Sequence, residues 1–192
     1  MGYAKGRATR LDIIEQATAL FGEAGYRGTS LREIAGRCGL SHPGLLHHFP
    51  TKQSLLLAVL EHRDEADHRA AGAVTGVEAL RTMVDLAARN TRRRGIVELF
   101  TVLSAEATAS DHPAHEFFVA RYRRVVRELQ QAYAEAAAAG HLRSSVVPLE
   151  AARELVALMD GLQIQWLLSD GALDMAAALG RHLEAQLTAP PA

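Results

Sequence analysis

His42, His47 and His48, together with Ser41, Pro43 and Gly44, form a short segment whose chemistry suits reading a nucleic-acid groove. Imidazoles and a hydroxyl can meet base edges and phosphate oxygens. The bare Pro43 and Gly44 let the backbone approach closely and leave room for a thymine methyl. These groups work only if a helix holds them on one outward face, and the surrounding residues supply one. Ser30-x-x-Glu33 is a capping-box pattern, and Leu31, Ile34, Ala35 and Cys38 follow at i, i+3, i+4 and i+7. Gly39 can take a positive φ and end that helix. Ser41 can cap a second helix running to about His48, with Pro43 in the first turn, where the missing amide is not needed. Leu45 and Phe49 turn inward. Two short helices about a glycine turn, over about residues 30–49, predict a helix-turn-helix.

Other residue groups could do other chemistry. His112 and His115 stand at i, i+3, a spacing that can hold a transition metal, but Asp111 beside them is accounted for as a helix cap and no further ligand is signposted, so no metal site is expected. Arg92-Arg93-Arg94 reads as a solvated break between helices. No nucleophile motif such as G-x-S-x-G occurs, and the carboxylates fall mostly at helix-surface spacing, so neither catalysis nor a cofactor is expected. Cys38 lies on an apolar helical face, where a buried inert thiol is expected.

The chain has 192 residues, 48% of them apolar and 22% charged, an ordinary globular composition. Its formal charge of −1 conceals an asymmetry: residues 1–52 hold seven Lys/Arg against four acids, a net +3, with −4 on the remainder. A basic end on an acidic body suits phosphate attraction. The absence of an apolar run of about 18 residues or a signal-type N-terminus predicts a cytoplasmic protein with no membrane partner.

Taken in order, residues 1–8 read as a mobile basic arm. A first helix then starts near Thr9, carries Ile13, Ile14, Ala17, Leu20, Phe21 and Ala24, and stops at Gly25. After the motif, Pro50-Thr51-Lys52 restarts the chain into a fourth helix with Leu55, Leu56, Val59 and Leu60. Residues 70–76 are small and turn-prone, a candidate hinge. A fifth helix carries Val77, Leu80, Val84 and Ala87, and a sixth runs from Ile96 to Thr108. A seventh starts at Asp111-His112-Pro113 and ends at Gly140. The eighth, opened by Pro148, is apolar on more than one side and needs burial on two fronts. The ninth carries Leu173, Ala176, Leu179, Leu183 and Leu187, and a loose Ala-Pro-Pro-Ala tail follows. The fold class is all-α, with about nine helices.

The stretch FGEAGYRGTSLREIAGRCGLS followed by HPGLLHHFPTKQSLLLAVL resembles the DNA-binding domain of the TetR (tetracycline-repressor-like) family of transcriptional regulators, over about residues 9–62. The resemblance implies a three-helix DNA-binding head over residues 1–62 and a helical effector-binding and dimerising body over residues 63–192. It implies that Thr29 and Ser30, at the start of one helix, and Lys52, at the start of another, meet DNA phosphates beside the reading residues Ser41, His42, Pro43, Gly44, His47 and His48. Leu46 departs from the pattern, since family members commonly carry a phosphate-contacting Tyr there. The implied effector, a small organic molecule, would lie among Met83, Phe100, Leu103, Phe118, Tyr122, Met159, Gln163 and Trp166. The surplus apolar surface of the last two helices, with Gly161 permitting close approach, predicts a homodimer through Leu155, Gly161, Leu162, Leu179 and Leu183, and hence a palindromic double-stranded operator. The expected function is a repressor released by its effector. Rival readings are an activator, a regulator without an effector, a helical protein-interaction scaffold and an all-helical enzyme.

Overall fold

The computed structural model describes residues 2–188, with side chains from residue 6. The expected Ala-Pro-Pro-Ala tail and Met1 lie outside the described residues. Among them are nine helices: α1 Gly2–Gly28, α2 Leu31–Arg37, α3 His42–His48, α4 Lys52–Ala71, α5 Gly76–Asn90, α6 Arg94–Glu106, α7 His115–Ala138, α8 Pro148–Leu168 and α9 Met175–Gln186. They make two compact units, Met1–His68 with Arg94–Glu116, and Arg69–Arg93 with Phe117–Ala192. The all-α expectation holds. α4 passes unbroken through residue 62, and α6 belongs with the helix-turn-helix.

Two predicted helix starts are corrected. α1 begins at Gly2, not near Thr9, so residues 2–8 are not a loose arm. Ala4, Lys5, Arg7 and Ala8 are good helix formers, and they outweigh a cost of about 1 kcal/mol for each of Gly2 and Gly6. α7 begins at His115, not at Asp111. Residues 107–114 form turns instead, and the His112 imidazole, not Asp111, accepts the Ala114 amide through Nδ1 at 3.2 Å.

In the first unit, α1 buries Ile13, Ile14, Ala17, Leu20 and Phe21, and α4 buries Leu55, Leu56, Val59 and Leu60. α6 packs on α1 with its backbone against that of α1. A Cβ built on Gly22 would stand 3.0 Å from the Gly95 carbonyl carbon, and one on Gly95 3.1 Å from the Gly22 Cα. Arg63 joins α4 to α6: its guanidinium lies 3.9 Å from the Phe100 ring centroid, and Nη1 donates to the Ile96 carbonyl at 3.4 Å. Past Ala24, α1 kinks at Gly25 (φ 74°) and makes one more turn to Gly28.

In the second unit, α9 packs on α5 and α8 and buries Met175, Leu179 and Leu183. Tyr133 is fully buried, and its hydroxyl donates to Gln186 Oε1 at 2.6 Å. Burial first, and Glu154 second, push its phenol far above the ordinary range. After Gln186 the chain is extended, and Leu187 pairs with Leu142 in an isolated antiparallel bridge. Thr75 caps α5 without a side-chain bond. Glu135 Oε2 instead accepts the Gly76 amide at 2.9 Å, while Gln131 donates to Oε1 at 2.9 Å. The Gln131 bond first and the Gly76 bond second hold the Glu135 carboxyl below its usual value.

Replacing Gly22 or Gly95 by Ala is expected to destabilise the protein by about 1–3 kcal/mol, since backbone cannot yield to the new methyl. Gly36→Ala on exposed α2, with nothing near its Cβ position, is expected to be neutral or stabilising by up to ~1 kcal/mol; urea unfolding of the three variants checks the opposite signs. The Glu135 contribution has its own pH signature. A lowered folded pKa adds stability above the unfolded value of about 4.3 and loses it as pH falls through the folded value. The difference in thermal midpoint between the protein and E135Q should therefore close as pH falls from about 6 to about 3.

Candidate nucleic-acid interface

The helix-turn-helix forms through the local chemistry its residues predict. Ser30 Oγ accepts the Glu33 amide at 3.2 Å, and the Glu33 carboxylate accepts the Ser30 amide at 3.5 Å, completing the capping box. Gly39 takes φ 64°, and the Leu40 amide returns to the Ala35 carbonyl at 2.8 Å. Ser41 Oγ accepts the Gly44 amide at 3.2 Å to start α3, with Pro43 in its first turn. A methyl on Gly44 would stand 3.2 Å from that same Oγ, so the glycine also keeps the cap open.

Leu45 and Phe49 are buried, 0% and 2% exposed, and they fix which side of α3 faces out. On a 100° wheel Pro43 and His47 lie opposite Leu45, and both are exposed. Gly44 and Leu46 are half-buried on the flanks, and His42 and His48 are half-buried nearer the core side. The His47 and His48 rings meet edge-on at 5.6 Å between centroids. Pro43 and His47 therefore form the centre of the outward face.

The groups expected at phosphates behave differently from one another. Ser30 is exposed at the α2 N-terminus, where amides and the helix dipole favour an anion. Thr29 is 2% exposed, and its hydroxyl donates within the fold, with the Gly25 carbonyl at 3.0 Å and the Leu20 carbonyl at 3.2 Å as its acceptors. That side chain closes the α1 kink. Lys52 Nζ lies 4.6 Å from the Tyr26 centroid and donates to the Arg27 carbonyl at 3.4 Å, and burial lowers its pKa. Arg37 pairs with Glu23 at 3.1 Å, and Arg27 with Glu106 at 3.4 Å. Arg32, which the sequence reading passed over, is exposed on α2 and has no ion-pair partner among the described residues. Its position in the first turn of α2, beside the Ser30 cap, is the signal that could have found it. Cys38 is half-buried at the α2 C-cap rather than buried, and desolvation, then Asp12, push its thiol pKa up, favouring the unreactive protonated form.

Phe100 and Leu103 lie in the first unit, with Phe100 under Arg63. Met83, Phe118, Tyr122, Met159, Gln163 and Trp166 lie in the second. Phe118 and Tyr122 sit with ring centroids 6.5 Å apart, and the Tyr122 hydroxyl donates to Asp160 Oδ2 at 2.7 Å. Burial raises the Asp160 pKa against the lowering effects of Tyr122 and Arg121. Asp160 was not legible as a site residue, because nothing in the spacing of α8 ties it to Tyr122. Trp166 lies against the Gly171 turn, its Nε1 3.5 Å from where a Cβ on Gly171 would sit. Leu155, Leu162, Leu179 and Leu183 are 0–6% exposed within the single chain, whereas Gly161 faces open space. The large apolar side chains that α8 leaves exposed are Ile164 and Leu168, 47% and 83% exposed. His112 and His115 both direct Nδ1 to backbone partners, Ala114 and Ala107, and no metal-holding cluster occurs among the described residues.

Ser41→Ala is expected to cost about 1 kcal/mol through the lost cap and to weaken duplex binding along with stability. His47→Ala should leave stability within about 0.5 kcal/mol while weakening sequence-specific binding. Urea unfolding and fluorescence anisotropy on the same variants separate the two effects.

The model for the tetR family of bacterial regulatory proteins matches residues 13–59, and that for the BetI-type transcriptional repressor C-terminal domain matches residues 76–188. The regulator BetI of Burkholderia thailandensis is 30% identical over 177 residues, covering 88% of this chain and 87% of that protein. Other curated relatives match over the head alone: the repressor Rv3405c of Mycobacterium tuberculosis is 46% identical over 50 residues, 26% of this chain. The chain spans only about 17–27% of the length of several such relatives. Among solved structures, the SmeT–triclosan complex superposes with a TM-score of 0.79 at 25% identity, covering 94% of this chain and 92% of that one. A TetR regulator from Haloarcula marismortui superposes with a TM-score of 0.83 at 17% identity, covering 95% of this chain and all of that one. With its capped helix-turn-helix and its matched C-terminal domain, the chain belongs to the TetR family of helix-turn-helix transcriptional regulators.

Proposed function

We propose that the protein is a dimeric repressor that binds a palindromic operator through α3 and is released by a small organic effector held in the second unit. The observation that carries the reading is the α3 face itself, with Leu45 and Phe49 fixed inward and Pro43 and His47 outward. The repressor assignment draws on the name of Rv3405c and on the BetI-type repressor match. The effector draws on the triclosan bound to SmeT. Its contacts would come from Phe118, Tyr122, Asp160 and Gln163, where aromatic surface stands beside a carboxylate and a half-buried amide.

The dimer would form through the outward stripe of α8. Ala157, Gly161, Ile164 and Leu168 recur at i, i+4, i+7 and i+11, one helical face, with Leu168 almost wholly exposed. Gly161 lets two helices meet closely, and a two-fold axis gives each operator half-site one α3. In the regulatory step, an effector with higher affinity for one arrangement of the heads shifts the population away from the DNA-binding one. α4 and α7 each begin in the first unit and continue into the second, giving covalent routes for that shift.

Selection of random duplexes at moderate salt tests the reading and is expected to return a palindrome whose affinity falls steeply with salt. Enrichment of no sequence would overturn it. Ile164→Asp with Leu168→Asp should convert the dimer to a monomer by sedimentation and weaken operator binding at least tenfold, since one head would be left to bind alone.

A further inference from the structure

The side of α1 that packs into the first unit continues beyond the apolar core. Arg7, Arg10, Ile14, Ala17 and Phe21 recur at steps of three and four residues and so share one stripe of the helix. Ile14, Ala17 and Phe21 are buried, 4%, 0% and 1% exposed, whereas Arg7 and Arg10 are exposed. α1 therefore runs past the core as a helical overhang, and its inward side changes there from apolar to cationic. A helix that begins at Gly2 holds both arginines in that register, which a mobile arm would not.

The Arg10 guanidinium lies 4.7 Å from the centroid of the Phe49 ring, itself 2% exposed. Phe49 follows His48 directly as the C-cap of α3, so Arg10 stands at the end of that helix that carries His47 and His48. The ring holds the guanidinium through its face and accepts none of its N–H donors in the plane. No carboxylate pairs with Arg10 among the described residues. Asp12 and Glu15, the nearest acids along α1, lie about 140–160° round the helix from it. Covering Phe49 needs only a long apolar side chain, and it does not account for a second exposed arginine one turn further out.

We propose that this overhang binds the sugar–phosphate backbone of the duplex read by α3, Arg10 and Arg7 each meeting a phosphate of the strand that passes the C-terminal end of that helix. The inference rests on the DNA-binding reading above and adds to it a contact outside the helix-turn-helix. A guanidinium already fixed by a ring loses little freedom when it binds, and its planar fork matches the oxygens of a phosphate. Such contacts carry no base information, so they strengthen binding to every sequence alike.

Arg10→Met and Arg7→Met remove the charge and keep a long, helix-forming side chain, which at position 10 still covers Phe49. Arg127→Met, at an exposed position of α7 in the second unit, loses the same charge and is the control. The probe is a mixed-sequence duplex of about 30 base pairs, with binding to the full chain read by fluorescence anisotropy between about 50 and 200 mM KCl. Each of the two head variants is expected to weaken binding roughly fivefold or more. Each should also make the slope of log affinity against log salt shallower by about 0.9 per bound head. Arg10→Lys should recover most of that slope, and Arg127→Met should leave it unchanged. Slopes unchanged in both head variants, whether or not affinity falls, would reduce Arg10 to a cover for Phe49 and overturn the overhang while leaving the α3 reading in place. Equal flattening in Arg127→Met would assign the effect to net charge and overturn it too. Absence of salt-dependent binding by the unaltered protein would overturn both readings.

Discussion

α1 and α6 cross with backbone against backbone, and that contact anchors the first unit. At 3.0–3.1 Å from a notional Cβ to the facing main chain, a side chain on Gly22 or Gly95 would push the two helices apart, so their close packing depends on both glycines. α1 then kinks at Gly25, and three contacts fix the direction in which the chain leaves. The Thr29 hydroxyl returns to α1 carbonyls, Lys52 Nζ reaches the Arg27 carbonyl, and Arg37 on α2 pairs with Glu23 on α1. Arg63 ties α4 to α6 across Phe100. These contacts hold α1, α2, α4 and α6 to one another, and the burial of Leu45 and Phe49 then sets the side of α3 that faces out.

Polar groups in this head divide between holding the fold and facing outward, and the hydroxyls of Ser30 and Ser41 do both. Ser41 Oγ uses a lone pair to accept the Gly44 amide and keeps its proton for an outward partner. Thr29 has no such freedom, being buried with its proton directed inward. Leu46, half-buried on the flank of α3, supplies no hydrogen bond. The outward chemistry of the motif is consequently sparse: an imidazole at His47, a proline ring, the capping serine hydroxyls, a guanidinium at Arg32 and the amides of two helix N-termini.

The helix-turn-helix was legible because its determinants are local. A serine and a glutamate three residues apart, a glycine with positive φ and a serine before a proline each act within one turn of chain. The same kind of signal misled at Asp111-His112-Pro113, where a neighbouring imidazole took the capping role the aspartate was expected to fill. What the sequence concealed was pairing over distance. Gly22 meets Gly95, Tyr122 meets Asp160, and Gln186 meets Tyr133, with nothing in either partner's neighbourhood to announce the other. The eighth helix shows the limit well. Its composition demanded burial on two sides, but which leucines face the protomer's own α9 and which face outward is decided by packing against helices far away in sequence.

The charge count of the first 52 residues also overstates the field at the motif. Of its cations, Arg37 and Arg27 are paired with glutamates, whereas Arg10, 4.7 Å from the Phe49 centroid, and Lys52, over Tyr26, keep their charge. A guanidinium compensated by a carboxylate attracts a phosphate far less than a free one, and the counterion-release term scales with the phosphates actually neutralised. A head with two of its guanidiniums held by carboxylates is therefore expected to bind phosphate less strongly than its charge count implies. Two heads joined in the proposed dimer would turn the second contact into an intramolecular step at a high effective concentration, multiplying affinity without any new residue. For the dimer proposed through the α8 stripe, the less charge each head brings to DNA, the more the operator complex would depend on the dimer, and the more completely a change in head separation would release it.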